Sequence, residues 1–308
     1  MRVVFLASGA FAIPSLEALV AAGHEVAALV TQPDRASGRG LALVPPNVKP
    51  VAERHGIPVL QLPRVRTPEA QAELRRLAPE LQVVVAFGQI LPRAVIDIAP
   101  RGTINVHASL LPRFRGAAPI QWALASGDAR TGVCLMKMDA GMDTGPLLAR
   151  AELDILPADT SQTLHDKLSA LGGGLLREHL AAYLEGRLAP VPQARDGVVM
   201  APMIIKEDGR IDFSRPAVEL ERRLRAFTPW PGLYTTYAGG LLKVIEAQVT
   251  QGRGVPGTVL DVGPAGLEVA CGQGALRWVK LQPEGKRAME AREFLASRKI
   301  EKGQRPFE

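Results

Sequence analysis

Asn105 and His107 stand two residues apart at the end of the apolar run 102–106 (GTINV). Alternation along a strand puts both side chains on one face. One is an amide donor and the other an imidazole that titrates near neutrality. A second segment, Asp139-Ala140-Gly141-Met142-Asp143-Thr144-Gly145, follows the run 132–138 (GVCLMKM). Its glycines allow a tight turn, which would project Asp143 from the end of another strand. Taken singly, each residue has a plainer reading: an Asn closing a strand end, a His satisfied by backbone, an Asp bonded within its own turn. A DTG of the aspartic-protease type would need a second copy, and the chain has one. Joined, the three suit acyl transfer to an amine. Such a transfer passes through a tetrahedral species with negative charge on oxygen. Asn105 and His107 would donate to that oxygen, each donor lowering the barrier by about 3–4 kcal/mol. Asp143 would orient and polarise His107 and help move the amine proton, directly or through water. A carboxylate beside an imidazole also favours the imidazolium. The amine is itself the nucleophile, so no Ser or Cys is needed.

The elements that must position these residues follow from periodicity. Residues 2–7 (RVVFLA), 25–31 (EVAALVT), 81–87 (LQVVVAF), 102–106 and 132–138 read as strands, with a helix over 11–22 between the first two. Continuous apolar strands imply a sheet covered on both faces. Strands alternating with helices imply an α/β, doubly wound, mostly parallel sheet, in which ligands sit beyond the carboxyl ends of the strands. A helix is expected from about Thr160 to Leu184, capped by Asp159, Thr160 or Ser161. Residues 186–203 hold several prolines and no clear period, and read as a linker between a region 1–185 and a region 204–308. Beyond it a helix (216–226) precedes short strands at 233–237, 241–250, 256–262, 266–271 and 275–280, a spacing that predicts a small β-barrel of OB-like type.

Length and composition narrow the function classes. The chain has 308 residues, 47% hydrophobic and 22% charged, enough for two cores and too apolar for global disorder. Its net charge of +6 suits an anionic partner. Cys134 and Cys271 are the only cysteines and lie far apart, which argues against a zinc site or a disulfide framework and fits a reducing cytoplasm. The opening apolar run is too short for a secretory signal, and no stretch is long enough to span a membrane.

The motifs NVHASLLPRFRGAAPIQWAL and DAGMDTGPLL resemble the folate-dependent formyltransferase family. Thr31-Gln32-Pro33-Asp34-Arg35, Gly38-Arg39-Gly40, Val85-Ala86-Phe87-Gly88 and Leu281-Gln282-Pro283-Glu284-Gly285-Lys286 extend the likeness over nearly the whole chain. The resemblance implies a formyltransferase-type, Rossmann-like domain, 10-formyltetrahydrofolate as donor and no metal. It places the catalytic residues on Asn105, His107 and Asp143, and a folate-contacting segment on Ser109, Leu110, Leu111 and Pro112. A flat pterin wants apolar walls with a few backbone hydrogen bonds at its edge, and Phe87, Gly88 and Ile90 would add to that wall. The extension Arg113 to Gln121 is similar to members whose acceptor is the methionine carried by initiator tRNA, giving formylmethionyl-tRNA for translation initiation. The first loop, Ala7-Ser8-Gly9-Ala10-Phe11-Ala12, departs from the usual G-T-P-x-F-A and lacks the acidic residue often found at Ala10.

The segment 31–46 is long for a connection after a strand and carries Arg35, Arg39 and paired prolines, so it reads as a binding loop. The resemblance implies that it meets the tRNA acceptor end, with Arg39 matching the family's arginine there. Residues 204–308 hold 17 Lys and Arg against 13 Asp and Glu, and Lys206, Lys286 and Arg287 are candidate phosphate contacts there. A monomer is expected. A dinucleotide-dependent oxidoreductase would need G-x-G-x-x-G after the first strand, where one glycine stands. A non-catalytic tRNA-binding protein would not need Asn105, His107 and Asp143. A sugar or purine-pathway amine as acceptor would leave the basic C-terminal region without a purpose.

Overall fold

A computed structural model describes residues 1–37 and 42–307 of the chain. They fall into two units: Met1–Pro119 with Arg130–Asp154 and Leu164–Pro202, and Ile120–Ala129 with Ile155–Thr163 and Met203 onward.

The first unit is built on β1 (Arg2–Ala7), β2 (Glu25–Thr31), the paired strands β3 (Arg35–Ser37) and β4 (Ala42–Val44), then β5 (Val59–Gln61), β6 (Leu81–Val85), β7 (Thr103–His107), the short β8 (Arg115–Gly116), β9 (Arg130–Lys137), β10 (Leu147–Asp154) and β11 (Met200–Ala201). Seven of these make one sheet in the order β10-β9-β7-β6-β1-β2-β5. β5, β2, β1, β6 and β7 run parallel, as their continuous apolar sequences require. The winding reverses between β1 and β6, the switch point where a crevice opens beyond the carboxyl ends. Helices α1 (Ile13–Ala21), α2 (Lys49–Arg54), α3 (Pro68–Arg76) and α4 (Arg93–Ile96) connect the parallel strands. One core here joins Val4, Leu6, Val30, Leu74, Val84 and Val95.

β9 and β10 depart from the parallel pattern. β9 runs antiparallel to β7, pairing His107 with Cys134 and Ile104 with Lys137. The loop that follows β9 therefore starts beside the amino end of β7, not its carboxyl end. This corrects the expectation of two strand ends facing one crevice. The loop 138–146 has to fold back along the sheet to bring Asp143 to His107.

Within segment 31–46, read from sequence as a loop, two short strands pair: Arg35 with Val44 and Ala36 with Leu43. The base of the segment is tied by Gln61 Nε2, which donates to the Gln32 carbonyl (3.0 Å) and Asp34 Oδ1 (2.6 Å), and by Lys49 Nζ on Asp34 Oδ2 (3.0 Å). These hydrogen bonds hold the Asp34 carboxyl below its ordinary pKa, that from Gln61 most. The residues read as a linker also carry ordered pairing. Val191 and Leu147 exchange backbone hydrogen bonds of 2.8 and 2.7 Å, and β11 pairs with β8 in parallel.

Two helices carry the chain between units: α5 (Pro119–Ser126) and α6 (Ser161–Leu184). Thr160 caps α6 reciprocally with Thr163. The Thr163 N–H donates to Thr160 Oγ1 (3.3 Å) and the Thr160 N–H to Thr163 Oγ1 (3.0 Å).

The second unit has α7 (Ala217–Phe227) and a sheet of β12 (Leu233–Tyr237), β13 (Gly240–Thr250), β14 (Val259–Gly263), β15 (Gly266–Ala270), β16 (Ala275–Pro283) and β17 (Met289–Glu290), followed by α8 (Ala291–Leu295). The order is β12-β13-β16-β15-β14, every pair antiparallel, with β17 on β16. β12 and β14 are the two edges, and no ladder joins them directly. The C-terminal segment bridges them. The Gly303 N–H donates to the Val259 carbonyl (2.8 Å), the Val259 N–H to the Gln304 carbonyl (2.9 Å), and Phe307 bridges Tyr237 on β12. Inside lie Leu242, Val244, Leu267, Trp278, Phe294 and Phe307.

Candidate active site

His107 closes β7 and is buried, while Asn105 is half-buried. His107 Nε2 lies 3.0 Å from the Phe114 carbonyl oxygen. A carbonyl only accepts, so Nε2 carries the proton and Nδ1 is the nitrogen left for the reactants. Nδ1 lies 3.7 Å from Asp143 Oδ1, too long for a direct hydrogen bond. Asn105 Nδ2 lies 3.5 Å from the same oxygen, at the outer limit of one. The other oxygen of Asp143, Oδ2, accepts the Gly116 N–H at 2.9 Å. One carboxylate oxygen is thus held by backbone, and the other faces both Asn105 and His107. The sequence-predicted trio does come together, although the Asp143 loop starts beside the amino end of β7.

Backbone conformation at the site is unusual. Ala86, Phe114 and Asp143 are three of the five non-glycine residues with positive φ among those described, at 45°, 59° and 51°. Each costs roughly 1–2 kcal/mol and persists only where surrounding contacts over-determine it. Gly116 allows β8 to lie against β11, because a Cβ there would come within 2.5 Å of the Ala201 carbonyl oxygen. Within the Asp143 loop, Asp139 Oδ1 accepts the Gly141 N–H (3.0 Å) and the Thr144 hydroxyl (2.6 Å).

The predicted folate segments divide into inward and outward groups. Ser109 is fully buried and its hydroxyl donates to the Arg113 carbonyl at 2.6 Å, so it serves the turn. Leu111 packs with Cys134 and Met136, and the Phe87 ring lies in the core. Leu110 and Pro112 are half-buried, and the Leu111–Pro112 peptide is cis. Gly88 is exposed, and Ile90 is 83% exposed. The surface left for a flat heterocycle is therefore Gly88, Ile90, Leu110 and Pro112, following two adjacent parallel strands. Ser8 of the atypical first loop also works inside: its hydroxyl donates to the Phe87 carbonyl (3.1 Å), accepts the Gln32 N–H (3.3 Å) and lies 3.2 Å from Thr31 Oγ1. It ties the ends of β1, β2 and β6 together.

Among the predicted tRNA contacts, Arg35, Lys206, Lys286 and Arg287 are exposed. Arg35 bonds Gln32, and Arg287 pairs with Glu293. Arg39 lies outside the described residues. The arginines of α7 are occupied locally: Arg225 binds Glu221 and the Asp159 carbonyl, and Arg223 binds the Asp208 carbonyl. Burial pushes the Cys134 and Cys271 thiols up to about 11, so neither supplies a thiolate near neutral pH. Among the described residues, no group of three His, Cys, Asp or Glu is placed to hold a metal ion, and no helix is long and apolar enough to cross a membrane.

Three groups escaped the sequence reading: the Phe114 carbonyl, the Gly116 N–H and Gln193. Two are backbone atoms, which no residue type announces. Gln193 sits in a stretch without period.

Comparison with known proteins identifies the family. The family model described as "Formyl transferase" covers residues 1–180, and "Formyl transferase, C-terminal domain" covers 203–299. Methionyl-tRNA formyltransferase of Myxococcus xanthus is 56% identical over 306 residues, 99% of this chain and 98% of that protein. The protein of the same name from Geobacter sulfurreducens is 48% identical over 99% of this chain and 96% of its own length. Among solved structures, an N-formyltransferase from Helicobacter canadensis, in complex with folinic acid and dTDP-3-aminofucose, aligns with TM-score 0.66 at 16% identity, over 90% of this chain and 98% of that one. HypX from Aquifex aeolicus, in complex with tetrahydrofolic acid, aligns with TM-score 0.64 at 16% identity over 99% of this chain, which spans 50% of HypX. At such identities the two structures speak for the fold alone. The two family matches and the full-length identity place this chain in the formyl transferase family.

Proposed function

We propose that the chain transfers the formyl group of 10-formyltetrahydrofolate to the α-amino group of methionine on initiator methionyl-tRNA. The acceptor rests on the 56% identity, over 99% of this chain, to a methionyl-tRNA formyltransferase. The chemistry rests on Asp143 Oδ1, on which Asn105 Nδ2 and His107 Nδ1 converge.

The donor supplies a formyl carbon activated by its bond to a folate nitrogen. Asn105 donates its amide N–H to the formyl oxygen as the amine adds to the carbon and charge collects there, where such a donor contributes about 3–4 kcal/mol. Asp143 Oδ1, the oxygen not held by Gly116, accepts the amine proton directly or through water. His107, its Nε2–H fixed on Phe114, presents Nδ1. When protonated, His107 donates a second hydrogen bond from Nδ1 to the formyl oxygen, and the proton that Asp143 takes from the amine passes on, directly or through water, to the departing folate nitrogen. Gly88, Ile90, Leu110 and Pro112 hold the pterin. Residues 1–185 carry this chemistry, and 204–308 carry the tRNA platform. Arg35, Arg39, Lys206, Lys286 and Arg287 contact phosphates, which position the acceptor without reading its sequence.

The test is direct. Purified chain is incubated with 10-formyltetrahydrofolate and methionyl initiator tRNA, and the aminoacyl ester is analysed for formylmethionine. Formylmethionyl-tRNA is expected. Formylation of a small sugar amine, with none on the tRNA, would reassign the acceptor.

A further inference from the structure

We infer that Gln193 is a positioning residue for formyl transfer, holding the Asp143 loop and the strand that grips the Asp143 carboxylate in one bracket. The inference rests on the proposed reaction. Gln193 Nε2 donates to the carbonyls of Asp143 and Gly145, both at 2.8 Å. Its Oε1 accepts from Arg115 Nε at 3.1 Å and Nη2 at 2.7 Å. Carbonyls only accept and a guanidinium only donates, so the amide has one orientation that satisfies all four bonds. The residue after Arg115 is Gly116, whose N–H holds Asp143 Oδ2 at 2.9 Å. One side chain thus binds the backbone of the Asp143 loop on one side of this contact and the guanidinium of the residue preceding Gly116 on the other.

The loop needs such a brace. Asp143 sits at φ 51°, an unfavourable backbone for a residue with a Cβ. It also reaches His107 by folding back from beside the amino end of β7, with no ladder of its own to hold it. A carbonyl pair facing one way is poorly satisfied unless two N–H groups meet it, and the Gln193 amide provides both. Gln193 is itself held in place by the backbone exchange between Val191 and Leu147, two residues away. The half-buried bonds bring the amide into a partly dry setting, where each is worth more than on an open surface. Gln193 touches no reacting atom; it acts through Asp143.

Two substitutions test this. Gln193→Ala removes the bracket. Gln193→Glu keeps an acceptor for Arg115 but turns a carboxylate oxygen on two carbonyls. Hydrogen exchange of the peptide covering 139–147 is measured first, and both variants are expected to exchange faster there with cooperative thermal unfolding retained. In formylation kinetics, kcat should fall on the order of 100-fold, the scale of a roughly 1 Å misplacement, while KM for both substrates stays near wild type. In an Asp143→Asn background, Gln193→Ala should add almost nothing, because its effect passes through that carboxylate. Unchanged exchange at 139–147, wild-type kcat, or an additive loss in the double variant would each overturn the inference. Should the wild-type chain not formylate methionyl-tRNA, the acceptor assignment falls, while the exchange measurement still decides the bracket.

Discussion

At the residue scale, the two oxygens of Asp143 have different duties. Oδ2 is committed to the Gly116 N–H, and Oδ1 faces Asn105 and His107. Asp143→Asn separates these duties. Asn is among the residues that best tolerate a left-handed backbone, so the loop at φ 51° should keep its shape. Its side-chain oxygen can still accept from Gly116, but the proton acceptor is lost. The expected result is a drop in kcat of about 100- to 10,000-fold, the range for removing a general base, with an unchanged thermal melt. Steady-state formylation kinetics check it, and near-normal turnover would remove Asp143 from the mechanism.

At the element scale, the paired strands of 31–46 and the C-terminal segment make separate predictions. The segment 31–46 is anchored by Gln61 and Lys49 on Asp34, so substitution beyond that anchor should leave the sheet intact. Arg39→Ala should raise KM for tRNA roughly tenfold, the loss of one charge-assisted hydrogen bond, with folate binding retained. Equal tRNA kinetics in variant and parent would sink the role given to this segment. In the second unit, Phe307 is 6% exposed, its ring 4.7 Å from that of Trp278. The segment carrying it spans edge strands that do not pair with each other. Phe307→Ala should therefore destabilise the unit by about 3–5 kcal/mol, through lost burial and a cavity beside Trp278. A urea titration followed by tryptophan fluorescence measures this. A change under about 1 kcal/mol would mean that the tail does not complete the core.

At the scale of the whole molecule, charge is the property that neither unit explains alone. The chain carries a net +6, and the region 204–308 holds 17 basic against 13 acidic residues. If Arg35, Arg39, Lys206, Lys286 and Arg287 meet phosphates, the logarithm of KM for tRNA should rise with the logarithm of salt concentration with a slope of roughly 3 to 5. KM for the folate should move far less. A flat tRNA dependence between low and physiological salt would transfer the recognition to uncharged contacts.

Much of the protein was legible in the sequence, for a physical reason that stops at a definite point. The strands 2–7, 25–31 and 233–237 fall where periodicity puts them, because burial on both faces of a parallel strand or on one face of an antiparallel one leaves a local pattern. Asn105 and His107 on one face of β7 follow from alternation alone. The family follows from motifs, since chemistry fixes residue types at fixed spacing. Direction is another matter. Nothing local to residues 130–137 says that β9 runs antiparallel to β7, and so nothing says that the Asp143 loop must fold back along the sheet. The paired strands in 31–46, the inward turn of Ser109, Leu111 and Phe87, and the bridging of β12 and β14 by residues 303–307 are likewise settled by partners distant in the chain. Gln193 is the clearest case. Its neighbours, Val191, Pro192, Ala194 and Arg195, show no period, and its four hydrogen bonds run to residues 48 to 78 positions away. The sequence by itself determined the family and singled out Asn105, His107 and Asp143 as candidates. Only the tertiary structure decided what holds them, because backbone carbonyls, N–H groups and an amide brace acquire their meaning from what folds against them.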